Sequence, residues 1–405
     1  MAQETVELHG HLIDSLILPR VLDLIVRYKA CYQIQDMQVG IRPQDPSRAR
    51  ILIAHRDPRV LEELLHAAAR HGTEPIERKE VHVATARRSG AFPPGFYATT
   101  NYDTEIYLQG CWVPVMHPEM DSGILLSRAG RAPRTVKMAD VRKGDRIVIG
   151  EDGVRVILPE SRRTIDEFSF MTSEVSSEKP KGALIAAVAR LVRRERQARR
   201  PILWVCGPAV VHSGAGPLLE KLIHAGYVQI LFAGNALAAH DVESAIMGTS
   251  LGVSLQEGAV TRSGHENHLR AINTIRLAGG IRQAIEKGIL TRGIMHACVR
   301  HRVAWVLAGS IRDDGPLPEV LTEMHEAQAQ MRRHCRKTGL AIMVATLLHS
   351  VATGNMLPAR AHVVSVDINQ AAVTKLLDRG TLQATGIVTD IQPFLRELLS
   401  ELTIK

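Results

Sequence analysis

The chain has 405 residues, 45% of them hydrophobic and 23% charged, with a formal net charge of +8. That length exceeds one ordinary core and predicts two or three domains, and the composition excludes a disordered chain. Aromatics make up only 4%, so the core rests on Leu, Val, Ile and Ala, as helices packed on parallel strands require.

Much of the positive charge is local, in Arg190, Arg193, Arg194, Arg196, Arg199 and Arg200. This reads as a solvated helix face or as a nucleic-acid patch; without interleaved aromatics for stacking, no nucleic-acid partner is expected. Cys31, Cys111, Cys206, Cys298 and Cys335 are odd in number and lack CxxC spacing, which argues against a disulfide framework and a structural zinc site. No apolar run reaches membrane-spanning length and the start lacks a secretion signal, so a cytoplasmic protein with no membrane partner is expected.

Residues 1–75 read as a β-α-β-β-α, ferredoxin-like α+β module: TVELHGH, the helix SLILPRVLDLIVRYKA, the strands YQIQDMQVGI and RARILIAH, and the helix DPRVLEELLHAAARHG. That last helix carries Asp57 as cap, Pro58 in its first turn and Gly72 after its end. Residues 76–160 predict a small β-rich domain with strands in FYATTNYDTEIYLQG, CWVPV, GILLSRA and DRIVIGEDGVRVILPE, turning at Asp152-Gly153. Residues 161–182 are polar and aperiodic, a linker.

From 183 to 405 the pattern alternates β and α. Strands are predicted at 202–207, 228–234, 303–309, 340–346, 362–368 and 386–390, and helices at 216–225, 238–246, 266–287, 316–338, 370–379 and 392–403. Continuous apolar strands separated by helices predict a parallel sheet covered on both faces. The fold class is therefore α/β, with a C-terminal Rossmann-like parallel-sheet domain behind the two smaller ones.

Ligands of such a sheet sit beyond the carboxyl ends of its strands. The residues there are Gly207-Pro208 with the loop HSGAGP (212–217), Gly234-Asn235-Ala236, SIRDDGP (310–316), Thr346-Leu347-Leu348-His349, Asp367 with Asn369, and Thr389-Asp390-Ile391. The glycines of HSGAGP fit a phosphate cradle or simply a tight turn into a helix. Asp367 fits a ribose acceptor, which favours NAD over NADP, or a cap for the next helix. Arg312, Asp313 and Asp314 share one loop: the guanidinium can grip a carboxylate and the acids an amine, or the loop satisfies itself. His240, with Asp241 at the start of a helix, suits proton transfer near neutrality. His265, Glu266 and His268 in SGHENH read as surface or capping groups more readily than as metal ligands, so no metal is expected. Glu119 and Asp121, two apart on a predicted strand, point the same way, toward a substrate ammonium or toward solvent.

The segments GPAVVHSGAGPLLEKLIHAGYVQILFAGNALAAHDVESAIMGTSLG, HLRAIN, LAGSIRDDGPLPEV, ATLLHSVATGN, VDINQAAVTKLLDRG and GIVTDI closely resemble one family. It is the archaeal-type ornithine cyclodeaminase, which also forms the C-terminal part of bifunctional arginine dihydrolase/ornithine cyclodeaminases and carries a LOR/SDH conserved region. The resemblance spans essentially the whole chain. It implies a deoxyhypusine-synthase-like NAD-binding domain and conversion of L-ornithine to L-proline and ammonia, through hydride removal to NAD, imine cyclisation and hydride return. It further implies cofactor contacts at Asn235, Ala236, Asp314, Thr346, Leu347, Leu348, His349, Asp367, Asp390 and Ile391, and a homo-dimer or homo-tetramer. Within that chemistry, His240 or His349 is the candidate proton carrier, Arg312 the carboxylate partner, and Asp313 or Asp121 the ammonium partner. At MDSGI the resemblance leads one to expect a cysteine near Ser122. A different NAD-dependent, saccharopine-type amine oxidoreductase and a non-catalytic ornithine or NAD sensor remain as alternatives.

Overall fold

Strict alternation in Ser47–His55 buries Ser47, Ala49, Ile51 and Ile53 and turns Arg48 and Arg50 to the opposite face, as the two-residue period of a strand requires. In the computed structural model, which describes residues 2–10, 12, 17–40, 45, 47–69, 71–75, 79–127, 132–157, 181–250, 253–254, 267–313, 315–377 and 384–403, this segment is the third strand of the first sheet. The chain divides into two units, Met1–Ser169 and Phe170–Lys405.

The first unit opens with β1 (Ala2–Gly10), α1 (Ile17–Arg27), β2 (Cys31–Gln38), β3 (Ser47–His55), α2 (Pro58–Ala69) and β4 (Thr73–Pro75). Its antiparallel sheet runs β2-β3-β1-β4, the ferredoxin-like order. Val6 and Leu8 of β1, Ile51 and Ile53 of β3, and Val21, Ile25, Leu61 and Leu64 of the helices make its core. The Asp57 side chain accepts from Arg59 N at 2.9 Å, and Gly72 takes the left-handed conformation (φ 84°). The closing strand β4 escapes sequence pattern because three residues show no period; its pairing with Val6–Leu8 of β1 decides it.

Next come β5 (His82–Thr85), β6 (Asp103–Leu108), β7 (Cys111–Pro114), β8 (Gly123–Leu126), β9 (Arg134–Val136), β10 (Arg146–Ile149) and β11 (Val154–Ile157). They form two antiparallel sheets, β5-β10-β8-β9 and β11-β6-β7. The strand expected from Phe96 starts only at Asp103. Before it, Phe96 makes a single bridge to Ile149, and Tyr97 N and Thr99 N donate to the carbonyls of Val148 and Ser122 rather than to one continuous ladder.

In the second unit, α3 (Lys181–Gln197) leads into β12 (Ile202–Cys206), α4 (Ala209–His212), α5 (Gly216–His224), β13 (Ile230–Gly234) and α6 (Asn235–Met247). A small ribbon, β14 (Thr249–Ser250) with β15 (Val253–Ser254), precedes α7 (Asn267–Ala278), α8 (Ile281–Glu286) and α9 (Ile294–Arg300). The chain ends with β16 (Ala304–Ala308), β17 (Val320–Leu321), α10 (Met324–Cys335), β18 (Leu340–Val344), α11 (Leu348–Met356), β19 (His362–Asp367), α12 (Gln370–Leu377), β20 (Ala384–Val388) and α13 (Ile391–Thr403). The seven strands of the large sheet run β17-β16-β13-β12-β18-β19-β20, every pair parallel. From β12 the chain winds outward to β16 and β17, then returns to the other side of β12 as β18. That is the doubly wound order with its switch between β12 and β18. Trp204, Val205 and Phe232 are fully buried, so the centre strands are apolar on both faces.

Three details depart from the sequence reading. The helix expected over 266–287 breaks at Gly279 and Gly280, whose φ values of 99° and 132° no helix accepts. The helix expected from 316 starts at Met324, and part of the preceding segment pairs as β17. The short helices α4, α9 and α11 were not expected, and the first of these separates β12 from the glycine loop. The linker residues 161–180 lie outside the described residues.

Glu7 of β1 faces both arginines of β3: Arg50 Nε donates to its Oε1 at 2.5 Å and Arg48 donates to the same oxygen. Burial raises the carboxyl's pKa, but the Arg48, Arg50 and His9 contacts outweigh it and hold the pKa at about 2. A depressed folded pKa stabilises the native state above the unfolded value near 4.5 and is lost as pH falls toward 2. In acid titrations of thermal stability, Glu7→Gln is therefore expected to be less stable than the parent at pH 6 and to show a shallower loss between pH ~4.5 and ~2; parallel curves would contradict this.

Candidate active site

At the switch point Gly207, just past β12, donates its N–H to Val344 O at 3.0 Å. A Cβ on Gly207 would stand 1.8 Å from the Ala345 carbonyl oxygen, so only glycine admits the neighbouring backbone. Ala345 itself holds a left-handed φ of 52°, a local strain of the kind concentrated at ligand sites. Because all seven strands are parallel, the predicted residues after β12, β13, β16, β18, β19 and β20 lie along one edge.

Helix α6 starts directly at that edge. Gly234 precedes it in extended conformation and no side chain caps the helix start at Asn235 and Ala236, the kind of terminus at which anions bind. Asn235 is buried, its Oδ1 accepting from Leu317 N at 3.1 Å. The His349 ring lies beside Gly234: its Cε1 is 3.6 Å from where a Cβ would stand. Burial lowers the His349 pKa, so this imidazole is neutral near pH 7 and able to accept a proton. In the glycine loop Ser213 Oγ is buried without a hydrogen-bond partner, an orphan that a ligand oxygen would satisfy.

The edge is also apolar where a globular surface ordinarily is not. Ile311 after β16, Leu347 and Leu348 after β18, and Ile368 after β19 are 108%, 38%, 78% and 74% exposed. Thr346 is half-buried, its carbonyl accepting from Ser350 Oγ at 2.5 Å. Leu347, Leu348 and Ile368 stand on the ends of the adjacent strands β18 and β19, with Ile311 across β12 and β13 from them; exposed aliphatic side chains so placed mark a surface that another group covers.

Local hydrogen bonding accounts for part of the predicted set. Asp313 Oδ2 accepts from Ser310 N at 2.8 Å, and Arg312 N donates to Ser310 Oγ at 3.0 Å, so the loop does knit itself together while the Arg312 side chain stays exposed. Asp367 Oδ1 accepts from Asn369 N at 2.8 Å. The cap of α12 is Asn369, which accepts from Ala371 N at 2.9 Å, not Asp367. Asp390 accepts from Gln392 N at 3.3 Å and so tops α13, while the Ile391 side chain is core. Asp314, His265 and Glu266 lie outside the described residues.

Two expectations need correction. His240 and Asp241 do not begin a helix; α6 starts at Asn235, so they sit in its second turn. Buried Asp241 accepts from Ile294 N and Met295 N at 2.7 and 2.8 Å, anchoring the start of α9, and burial pushes its pKa up to about 7. Glu119 and Asp121 are not on a strand and do not point alike. Glu119 is buried and pairs with Lys137 at 3.0 Å, whereas Asp121 is exposed in a left-handed turn (φ 56°) before β8. Ser122, near which a cysteine was expected, is fully buried and its N–H donates to Thr99 Oγ1 at 3.1 Å.

Sequence reading missed the surroundings of His240. His240 Nδ1 lies 3.0 Å from Glu243 Oε2, the His212 ring stands edge-on with centroids 4.6 Å apart, and His268 lies at 6.1 Å. His212 Nδ1 is 2.7 Å from Ser250 Oγ. The spacing of Glu243 three residues after His240 was the available signal, because such pairs share a helix face. No group of three His, Cys, Asp or Glu arranged for a metal occurs among the described residues.

The switch point gives a direct test of this architecture. Gly207→Ala is expected to lower stability by about 1–3 kcal/mol or more, because backbone must move. Gly354→Ala, inside α11 with open space around it, should instead raise stability by up to about 1 kcal/mol. Thermal unfolding of the two variants checks the contrast, and equal effects would refute it.

Comparison with known proteins places these features in a family. Residues 186–398 match the model "Arginine dihydrolase ArgZ-like, C-terminal, Rossmann fold", residues 103–185 its "first region", and residues 3–102 the "LOR/SDH bifunctional enzyme conserved region". An ornithine cyclodeaminase of Methanopyrus kandleri is 48% identical over 401 residues, covering 99% of this chain and 97% of that protein. The one from Methanocaldococcus jannaschii is 47% identical, covering 99% and 96%. Among solved structures, apo ArgZ, a cyanobacterial arginine dihydrolase, superposes with TM-score 0.86 at 33% identity, over 99% of this chain and 58% of that one. AgrE in ternary complex with ornithine and NAD+ gives TM-score 0.54 at 35% identity, over 99% and 57%. With a family model matching more than half its length and relatives of nearly half identity along all of it, the chain belongs to the archaeal-type ornithine cyclodeaminase family, which shares its sequence with the C-terminal part of ArgZ-like arginine dihydrolases.

Proposed function

We propose that this chain converts L-ornithine to L-proline and ammonia with NAD as a recycled cofactor, at the carboxyl edge of the seven-stranded sheet. The observation that carries the reading is the His349 ring beside Gly234, at the start of a helix no side chain caps, with a buried hydroxyl lacking a hydrogen-bond partner at Ser213 in the loop after β12. Those groups fit a dinucleotide: N–H donors for phosphate, Ser213 Oγ for a phosphate or ribose oxygen, and the Asp367 carboxylate for a ribose hydroxyl. NAD, when bound, supplies the acceptor that takes a hydride from the substrate and gives it back.

The protein's own residues then bind, orient and move protons. Arg312 holds the substrate carboxylate, since its guanidinium is exposed at the edge and suited to a bidentate pair. Asp313, one of whose oxygens is used by Ser310, receives the distal ammonium, and Asp121 of the first unit is given no role. His240 takes a proton from the amine and delivers one to the departing ammonia. The aliphatic rim of Ile311, Leu347, Leu348 and Ile368 excludes water once ligands are seated, which protects a cyclic imine from hydrolysis. No helix among the described residues is long and apolar enough to cross a membrane, in keeping with a cytoplasmic enzyme. Assembly as a homo-dimer or homo-tetramer belongs to the same proposal; the edge strand β2, exposed along its length, is an association-prone feature, and sedimentation of the purified chain checks it.

Incubation with ornithine and NAD+ should yield proline and ammonia in equal amounts without net NADH. Accumulating NADH would replace this reading with a saccharopine-type oxidoreductase, and binding without turnover would replace it with a sensor. Arg312→Ala should raise KM for ornithine about 10- to 100-fold, the loss of a charge-assisted hydrogen bond; an unchanged KM removes Arg312 from the carboxylate site.

A further inference from the structure

Behind His240 the polar side chains form a chain of hydrogen bonds with one direction. Glu243 is fully buried. Its Oε2 lies 3.0 Å from His240 Nδ1, and its Oε1 accepts from Thr249 Oγ1 at 2.8 Å. Thr249 Oγ1 in turn accepts from Asn267 Nδ2 at 2.9 Å. A hydroxyl has a single proton and an amide nitrogen only donates, so the Thr249 proton is committed to Glu243. Every bond therefore runs toward the carboxylate. A buried carboxylate needs donors to stay ionised, and the N–H at Nδ1 of His240, 3.0 Å from Oε2, is placed to be one of them.

We propose that Glu243 is a positioning residue of the ornithine reaction: it accepts the Nδ1 proton of His240, fixes that tautomer, and leaves the Nε2 lone pair as the base. The proposal rests on the assignment of His240 as proton carrier. When Nε2 takes a proton from the substrate's ammonium, the N–H bond at the amine breaks, one forms at Nε2, and the positive charge arises 3.0 Å from the Glu243 oxygen. The same proton then passes to the departing amino group, which leaves as ammonia, and His240 returns to its starting tautomer.

The groups around His240 favour this single role. His212 on α4 is held below the usual imidazole pKa by burial and by His240 itself, so it adds no repelling charge near pH 7. His268 and Asn267 approach from α7. Asp241 on the same helix is turned to the start of α9, where Cys298 is its buried neighbour. The strands ILFAG of β13 and AWVLA of β16 bring no titratable side chain. His240 keeps 11% of its side-chain surface open.

The test uses the full chain with NAD+ and ornithine. Glu243→Gln keeps the shape and removes the charge. It should lower kcat about 100-fold, in the range of general acid–base contributions, with KM for ornithine and NAD+ affinity nearly unchanged. The pH profile of kcat should change as well, because the carboxylate 3.0 Å from the base is gone. Thr249→Val should give a smaller fall, about tenfold. In the 15N spectrum of the histidine-labelled parent, assigned by difference with His240→Ala, Nδ1 should be the protonated nitrogen and Nε2 the bare one. A fully active His240→Ala would overturn the proton-carrier assignment. An inactive His240→Ala together with a Glu243→Gln of parental kcat and pH profile would overturn the positioning role alone. A spectrum showing the proton on Nε2 overturns it even if Glu243→Gln fails to fold.

Discussion

Gly207 has no side chain, and the carbonyl of Ala345 takes up the space where one would stand. The rest of the second unit is arranged around that approach. It lets β12 and β18 lie side by side at the point where the chain reverses its winding, which opens a crevice at the carboxyl ends of the strands. A parallel sheet points every strand's carboxyl end the same way, so residues far apart in sequence, such as Gly234 and His349, meet without any contact between their own segments being written into either. The left-handed Ala345 is the local strain that this close pairing imposes.

The crevice joins two environments of different character. Its rim, formed by Ile311, Leu347, Leu348 and Ile368, is aliphatic and open, whereas His240 and Glu243 of α6 belong to a largely buried polar network with Thr249 of β14 and Asn267 of α7. A low-dielectric interior strengthens hydrogen bonds and penalises unpaired charges alike, so the network holds only because its donors and acceptors match. A rim that sheds water and an interior that holds a proton in place are what imine chemistry requires. Asp241, beside His240 in sequence, does unrelated work: its carboxylate receives the first N–H groups of α9.

Much of the fold was legible because burial leaves a period in the sequence. The continuous apolar runs ILWVC, LAIMV and HVVSVD are buried strands in place, and alternation in RARILIAH marks a half-buried one. Elements without room for a period were not legible: the three residues of β4, the two of β17 and the short helix α4 are fixed by their neighbours. Gly279-Gly280 within an otherwise helical pattern was visible as sequence, but the break follows from backbone angles that pattern reading does not weigh. Likewise Glu119 and Asp121 gave the spacing of a strand, while the turn before β8 sends one carboxylate to Lys137 and the other to solvent.

For the site, the sequence by itself determined which residues stand at the strand ends, because a parallel sheet converts chain order into position along one edge, and it carried the family motifs through those same segments. It also supplied the chemistry of each group: imidazole, guanidinium, carboxylate. Only the tertiary structure decided which of these groups are already occupied, as Asp313 is by Ser310 and Asn235 by Leu317, and which are oriented from behind, as His240 is by Glu243. The reason is range: a period reports how one segment faces the core, whereas a hydrogen bond between segments depends on where folding brings both ends to within about 3 Å.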